Sequence, residues 1–99
     1  MSHPVSVVAR FVPVPEKRSD LQALLGSMVA PTRSEAGCRI YNLYEAQADS
    51  DLVLIERYDD LAALERHRTS KHYLDYRAEL NPLLASPVSV TVLAPLDEA

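Results

Sequence analysis

Only six residues, Ala46-Gln47-Ala48-Asp49-Ser50-Asp51, separate two segments that both read as strands, Cys38–Glu45 and Leu52–Tyr58. Two strands joined by so short a polar turn pair antiparallel as a hairpin, and the rest of the chain has to be arranged around it. Upstream, Val5–Val12 is rich in β-branched residues and stops at Pro13 and Pro15, which cannot extend a ladder. From Pro15 to about Ala30, Leu21, Leu24, Leu25, Met28 and Val29 recur at three and four, the spacing of an amphipathic helix, which Pro31 is expected to end or kink. Downstream, Asp59 or Asp60 caps a helix carrying Leu61, Leu64 and His67. Thr69 or Ser70 caps a second helix with Tyr73, Tyr76, Leu80 and Leu83 on one stripe. Pro82 and Pro87 break that helix, and Val88–Leu93 alternates with period two as a last strand. The order βαββαβ is that of the ferredoxin-like α+β fold: a four-stranded antiparallel sheet with its helices on one face.

A chain of 99 residues closes one core and has no material for a second, so one domain is expected over 1–99, with a core of about 5–94 and a short polar tail. Several strands carry apolar residues on both faces (Val7 and Val8, Leu43 and Tyr44, Leu54 and Ile55), although helices cover only one. The second face needs a cover, and for one small domain the simplest is a second copy, giving a homodimer with two sheets face to face. Which alternation of the last strand faces that partner, and hence whether Val90 does, is open at this level.

Several function classes fall away on composition. The net charge of −4 comes with dispersed basic residues, so no basic stripe is available for nucleic acid. No run of about 18 apolar residues exists to span a membrane, and Met1-Ser2-His3-Pro4 lacks the blocks of a signal peptide, so a cytoplasmic location is the expectation. The two glycines form no phosphate loop, which argues against nucleotide and dinucleotide cofactors. Cys38 is the only cysteine, excluding an intrachain disulfide and a thiolate metal site; it reads most simply as a small buried residue at a strand start.

Three separated motifs stand in order: Ser34-Glu35-Ala36-Gly37-Cys38-Arg39-Ile40-Tyr41, then Glu56-Arg57-Tyr58, then His67-Arg68-Thr69-Ser70-Lys71-His72. From Val5 to Leu93 the chain resembles the antibiotic biosynthesis monooxygenase (ABM) family. Its pattern reads roughly S-x-x-E-x-G-C-x-x-Y, then E-x-aromatic-x-D/N, then H-x-x-S-x-H. The resemblance implies a dimeric α/β barrel and oxidation of a small hydroquinone, phenolic or polyketide-like aromatic substrate by dioxygen with no cofactor. It also implies that Glu56 and Tyr58 face the helices and line a pocket. Asparagine and tryptophan on the third strand, used by anthrone-oxidising members, are replaced here by Leu54 and Tyr58, and the axial histidine of haem-degrading members falls near Arg77. The quinol-monooxygenase-like group is therefore the nearest match. A non-catalytic ligand-binding or regulatory dimer, or an isomerase or cyclase of the related barrels, would use the same fold.

Read from the residues alone, Glu56 in mid-strand between apolar neighbours is either an acid–base group of raised pKa or half of a buried pair with His or Arg. His67, on the inward stripe of its helix, is either a core histidine or a base. The expected catalytic pair is His67 and Glu56, coupled, with the carboxylate raising the histidine's pKa and burial opposing it. Tyr58, His72, Tyr76 and Leu54 are expected to form the substrate pocket, with Ser70 serving at least as a helix cap. His67, His72 and Glu56 are also metal-ligand types. On a continuous helix, however, the five-residue spacing sets the two histidines about 140° apart, and they converge only if the helix breaks near Thr69-Ser70. No metal site is expected.

Overall fold

The computed structural model describes residues 3–99. Strand β1 (Val5–Phe11) is followed by a 3₁₀ turn at Pro15–Lys17 and by helices α1 (Arg18–Ser27) and α2 (Val29–Arg33). The hairpin strands β2 (Cys38–Glu45) and β3 (Leu52–Tyr58) come next, then α3 (Leu61–Thr69), α4 (Lys71–Leu80), a 3₁₀ turn at Asn81–Leu83 and β4 (Ser89–Leu93). The sheet is antiparallel throughout, in the order β2-β3-β1-β4, and it is open, with β2 and β4 as edges. No helix among the described residues is long and apolar enough to cross a membrane.

Of the two outcomes expected at Pro31, an end or a kink, the helix does not end there but is interrupted earlier, at Met28, and continues through Pro31. Proline's ring collides with the carbonyl four residues back, here that of Ser27, and its missing N–H matters little in a first turn. The interruption therefore falls before α2, leaving Pro31 in that helix's first turn.

Alternation sorts the sheet into two faces. Val7, Ala9 and Phe11 of β1, Tyr41 of β2 and Leu52, Leu54, Glu56 and Tyr58 of β3 are buried beneath the helices. They meet Leu21, Leu25 and Met28 from the first helical segment and Leu64, Tyr76 and Leu80 from α3 and α4. The register sets Val92, Val7, Glu56 and Tyr41 side by side in one row of this inner face, and Val90, Ala9, Leu54 and Leu43 in the next. Helix cover is thin over β4, and Val90 and Val92 remain 45% exposed even on the inner side.

The outer face has no helix over it. It carries Val8, Val53 and Ile55, half-buried, together with exposed Ile40, Tyr44 and Leu93. Every one of the five β4 residues is exposed.

Candidate active site

Three local structures place the side chains of the site. Asp60 caps α3 by accepting from the Ala63 N–H at 2.9 Å. That fixes the helix over β3 and turns Ala63, Leu64 and His67 inward. Ser70 ends α3 and begins α4: its backbone is extended (φ −68°, ψ 153°), its hydroxyl donates to the His67 carbonyl at 2.7 Å, and it accepts from the Tyr73 N–H at 3.3 Å. The loop from α2 to β2 lies against α3 through Gly37, whose φ of +89° suits glycine; a Cβ there would sit 2.7 Å from that of Ala63. This close approach carries Glu35 to the junction of α3 and α4.

Because the helix breaks at Ser70, the argument from a continuous helix fails and the two histidines converge. Their meeting point is Glu35, not Glu56. Glu35 Oε2 lies 2.8 Å from His67 Nδ1 and 2.5 Å from His72 Nε2, accepting from both rings. The His67 ring is further enclosed by Tyr41, Tyr58 and Tyr73, with ring centroids 5.7, 5.4 and 5.0 Å away. Position and tautomer are thereby set together: Nδ1–H points at the carboxylate, and Nε2 is the nitrogen left for a ligand.

Burial lowers the His67 pKa below its ordinary 6.5, and this outweighs the opposing hydrogen bond from Glu35. The ring is neutral near pH 7, contrary to the raised value expected of a His67–Glu56 pair. Glu56 has no cationic partner within ion-pair distance among the described residues; its Oε1 accepts from the Tyr58 hydroxyl at 2.6 Å. Desolvation pushes its pKa up to about 7, with the Tyr58 hydrogen bond pulling the other way. Of the two readings open for Glu56, the geometry shows the carboxyl of raised pKa and no ion pair among the described residues.

His67 and Glu56 line one small cavity with Leu54, Tyr41, Tyr73 and Tyr76. Val90, Arg68 and Arg77, all exposed, stand at its rim. Tyr58 and His72, expected in the pocket wall, stand one layer behind it. Tyr58 grips Glu56, and His72 grips the carboxylate that grips His67. Burial also raises the hydroxyl pKa values of Tyr41 and Tyr76, so both remain neutral hydrogen-bonding groups. The Cys38 thiol is raised to about 11, first by burial and then by the Glu35 and Glu56 charges, and stays protonated. The internal volume is about 30 Å³, room for one or two waters and not for an aromatic ring.

Glu35, Tyr41 and Tyr73 were missed as site residues. Glu35 and Tyr41 do stand in the first motif, Ser34 to Tyr41, but a glutamate in a loop gives no periodic signal, and its partner His67 is 32 residues away.

An open antiparallel sheet with its helices on one face defines a ferredoxin-like α+β domain, here with a small cavity lined by His67 and Glu56. The chain matches the sequence model of the family described as Antibiotic biosynthesis monooxygenase over residues 4–79, and it belongs to that family. It is similar to Rv0793 of Mycobacterium tuberculosis, at 59% identity over 99 residues, covering 100% of this chain and 98% of that one. The Rv0793 structure superimposes with a TM-score of 0.95 over 97% of this chain and 98% of that one. PA3566 of Pseudomonas aeruginosa, 35% identical, gives 0.90 over 98% of both chains. YcnE of Bacillus subtilis is 31% identical over 77 residues, covering 77% of this chain and 81% of the relative.

Proposed function

We propose that this protein is a monooxygenase that inserts an oxygen atom from dioxygen into a small hydroquinone or related phenol, with the substrate as its own electron donor and no bound cofactor. The observation that carries this reading is the neutral His67. It is clamped through Nδ1 by Glu35 and walled by three tyrosines, and its second nitrogen is left for a ligand of the cavity. A base so placed removes a phenolic proton, and the resulting anion gives up an electron to dioxygen far more readily than the neutral phenol does. The radical pair joins at a ring carbon as a hydroperoxide. Loss of water then leaves one oxygen on the ring and places the other in the water released, with the ring oxidised to a hydroxyquinone. Glu56, poised near pH 7, suits the proton transfer to the departing oxygen. A ring enters only as the rim side chains Arg68 and Arg77 and the edge residue Val90 move aside. A second copy of the chain over the bare outer face belongs to the same proposal.

Dioxygen uptake with a panel of substituted hydroquinones tests the reading. Uptake matched by hydroxyquinone formation is expected, and His67→Ala should reduce it by about 100-fold or more, with folding checked by circular dichroism. Full activity in that variant would remove His67 as the base. Saturable binding without uptake would make the chain a ligand-binding or regulatory dimer, and anaerobic turnover would make it an isomerase or cyclase.

A further inference from the structure

The junction of α3 and α4 brings together more than a base needs. Orienting His67 takes one acceptor on Nδ1, yet a second imidazole, from another helix, is aimed at the same carboxylate oxygen. One donor atom each from Glu35, His67 and His72 lies within 4.8 Å of the other two. The three come from separate segments, each fixed independently: the loop by Gly37 against Ala63, α3 by its Asp60 cap, α4 by its Ser70 cap.

We propose that Glu35, His67 and His72 form a binding site for a divalent first-row transition ion of the zinc type. Two imidazoles and one carboxylate are the donor set that such ions take, at about 2.0–2.2 Å from each donor. Donors at that range around one ion stand about 3.0–3.4 Å apart. The two separations from Glu35 Oε2 are 2.8 and 2.5 Å, so the carboxylate has to withdraw by about 0.2–0.9 Å, and the two imidazole nitrogens, within 4.8 Å of each other, have to settle at the same range. The loop backbone is held, but the Glu35 side chain is 15% exposed and can turn toward solvent about its own torsions. His72, 27% exposed, marks the way in from solvent, while His67 at 3% forms the floor. The aromatic enclosure of His67 fixes the plane of its ring, and the Ser70 hydroxyl, 3.3 Å from His72 Nε2, touches the donor nitrogen itself and has to give way to the ion.

Occupation goes beyond the oxidation chemistry and alters what the cavity contains. With Nδ1 on the ion, the ring proton of neutral His67 resides on Nε2, and the histidine turns from acceptor to donor. The zinc-loaded chain therefore has no imidazole base in its cavity.

The test reads binding alone and is independent of any turnover. Zinc chloride is titrated into the purified protein by calorimetry, and cobalt(II) into a second sample while its visible d–d absorption is followed. One saturable site per chain is expected. Glu35→Gln and His72→Ala should each weaken zinc by more than tenfold, and His3→Ala, at an exposed histidine that is not one of the three donors, should not. Circular dichroism confirms that each variant is folded; His72, being partly exposed, is the less disruptive of the two. Absence of a saturable site, or zinc affinity undiminished by either substitution at Glu35 or His72, would overturn the proposal and leave the cluster as a hydrogen-bonded clamp on His67.

Discussion

Burial acts in opposite directions on the two titratable groups of the cavity. The Glu56 carboxyl binds its proton more tightly in the fold than in the unfolded chain, its pKa rising from 4.5 to about 7. Stability is therefore lost as pH rises through that window, by about 3 kcal/mol in total. His67 is depressed from 6.5, so its contribution is lost in the other direction, as pH falls below about 6.5 and the unfolded chain takes up a proton that the fold refuses. Between pH 4.5 and 6.5 the two slopes oppose each other. Glu56→Gln keeps an acceptor for the Tyr58 hydroxyl and removes the ionisation. It should match the wild type near pH 4.5 and exceed it above pH 7 by up to about 3 kcal/mol, leaving the His67 slope visible below 6.5. Urea unfolding midpoints from pH 5 to 8 check this, and an equal pH dependence in the two proteins would mean that Glu56 is not desolvated. The sign is opposite to that for a buried ion pair, where removing the carboxylate strands a charge. At this scale the inward place of His67 was legible from its stripe, and that of Glu56 from the family resemblance carried by the Glu56-Arg57-Tyr58 motif. The partner of His67 was not, because it depends on a loop brought in by tertiary packing.

At the level of elements, the hairpin strands β2 and β3 match the segments read from sequence residue for residue, because runs of β-branched and aromatic residues end at a polar turn on one side and at loop or capping residues on the other. The helix interruptions were harder to place. A proline acts on a carbonyl one turn earlier than itself, so Pro31 displaces the break to Met28; at Ser70, one hydroxyl both ends α3 and starts α4. That second break decides the site, since His72 reaches Glu35 only from a new helix axis. Gly37 decides it from the other side. Gly37→Ala would force a Cβ to within 2.7 Å of Ala63 at a positive φ. We expect a loss of about 1–3 kcal/mol and a displaced Glu35, so that any His67-dependent activity falls further than stability alone explains. Thermal unfolding together with dioxygen uptake checks this; a variant as stable and active as the wild type would show that the loop relaxes freely. Ser70→Ala should lower stability by about 1 kcal/mol through the lost cap, seen in the same unfolding measurement.

For the whole molecule, the sheet has two faces and the chain covers one. Alternation in the sequence already implied an uncovered apolar face, and the register now says which residues make it: Val8, Ile55, Val53, Ile40, Tyr44 and Leu93 point away from the helices. Val90 does not belong to that face. It pairs with Ala9 on the inner side and touches the cavity rim, so a charge there tests the site rather than the contact between copies. Ile55 is the better probe, since it lies in the middle of the outer face on β3, flanked by Val8 and Asn42, with its backbone in a central strand. An apolar patch of this extent on a small domain favours association with a like surface. We expect sedimentation equilibrium at micromolar concentration to give twice the 11.0 kDa chain mass. Ile55→Asp should shift the protein to the single-chain mass or unfold it. Thr91→Asp, on the exposed edge strand of the same face, gives a milder version whose folding circular dichroism can confirm. A wild-type protein that sediments as a single chain would show that the outer face tolerates water. Closure of two such sheets into a barrel, which one open four-stranded sheet cannot achieve by itself, would then have to be abandoned.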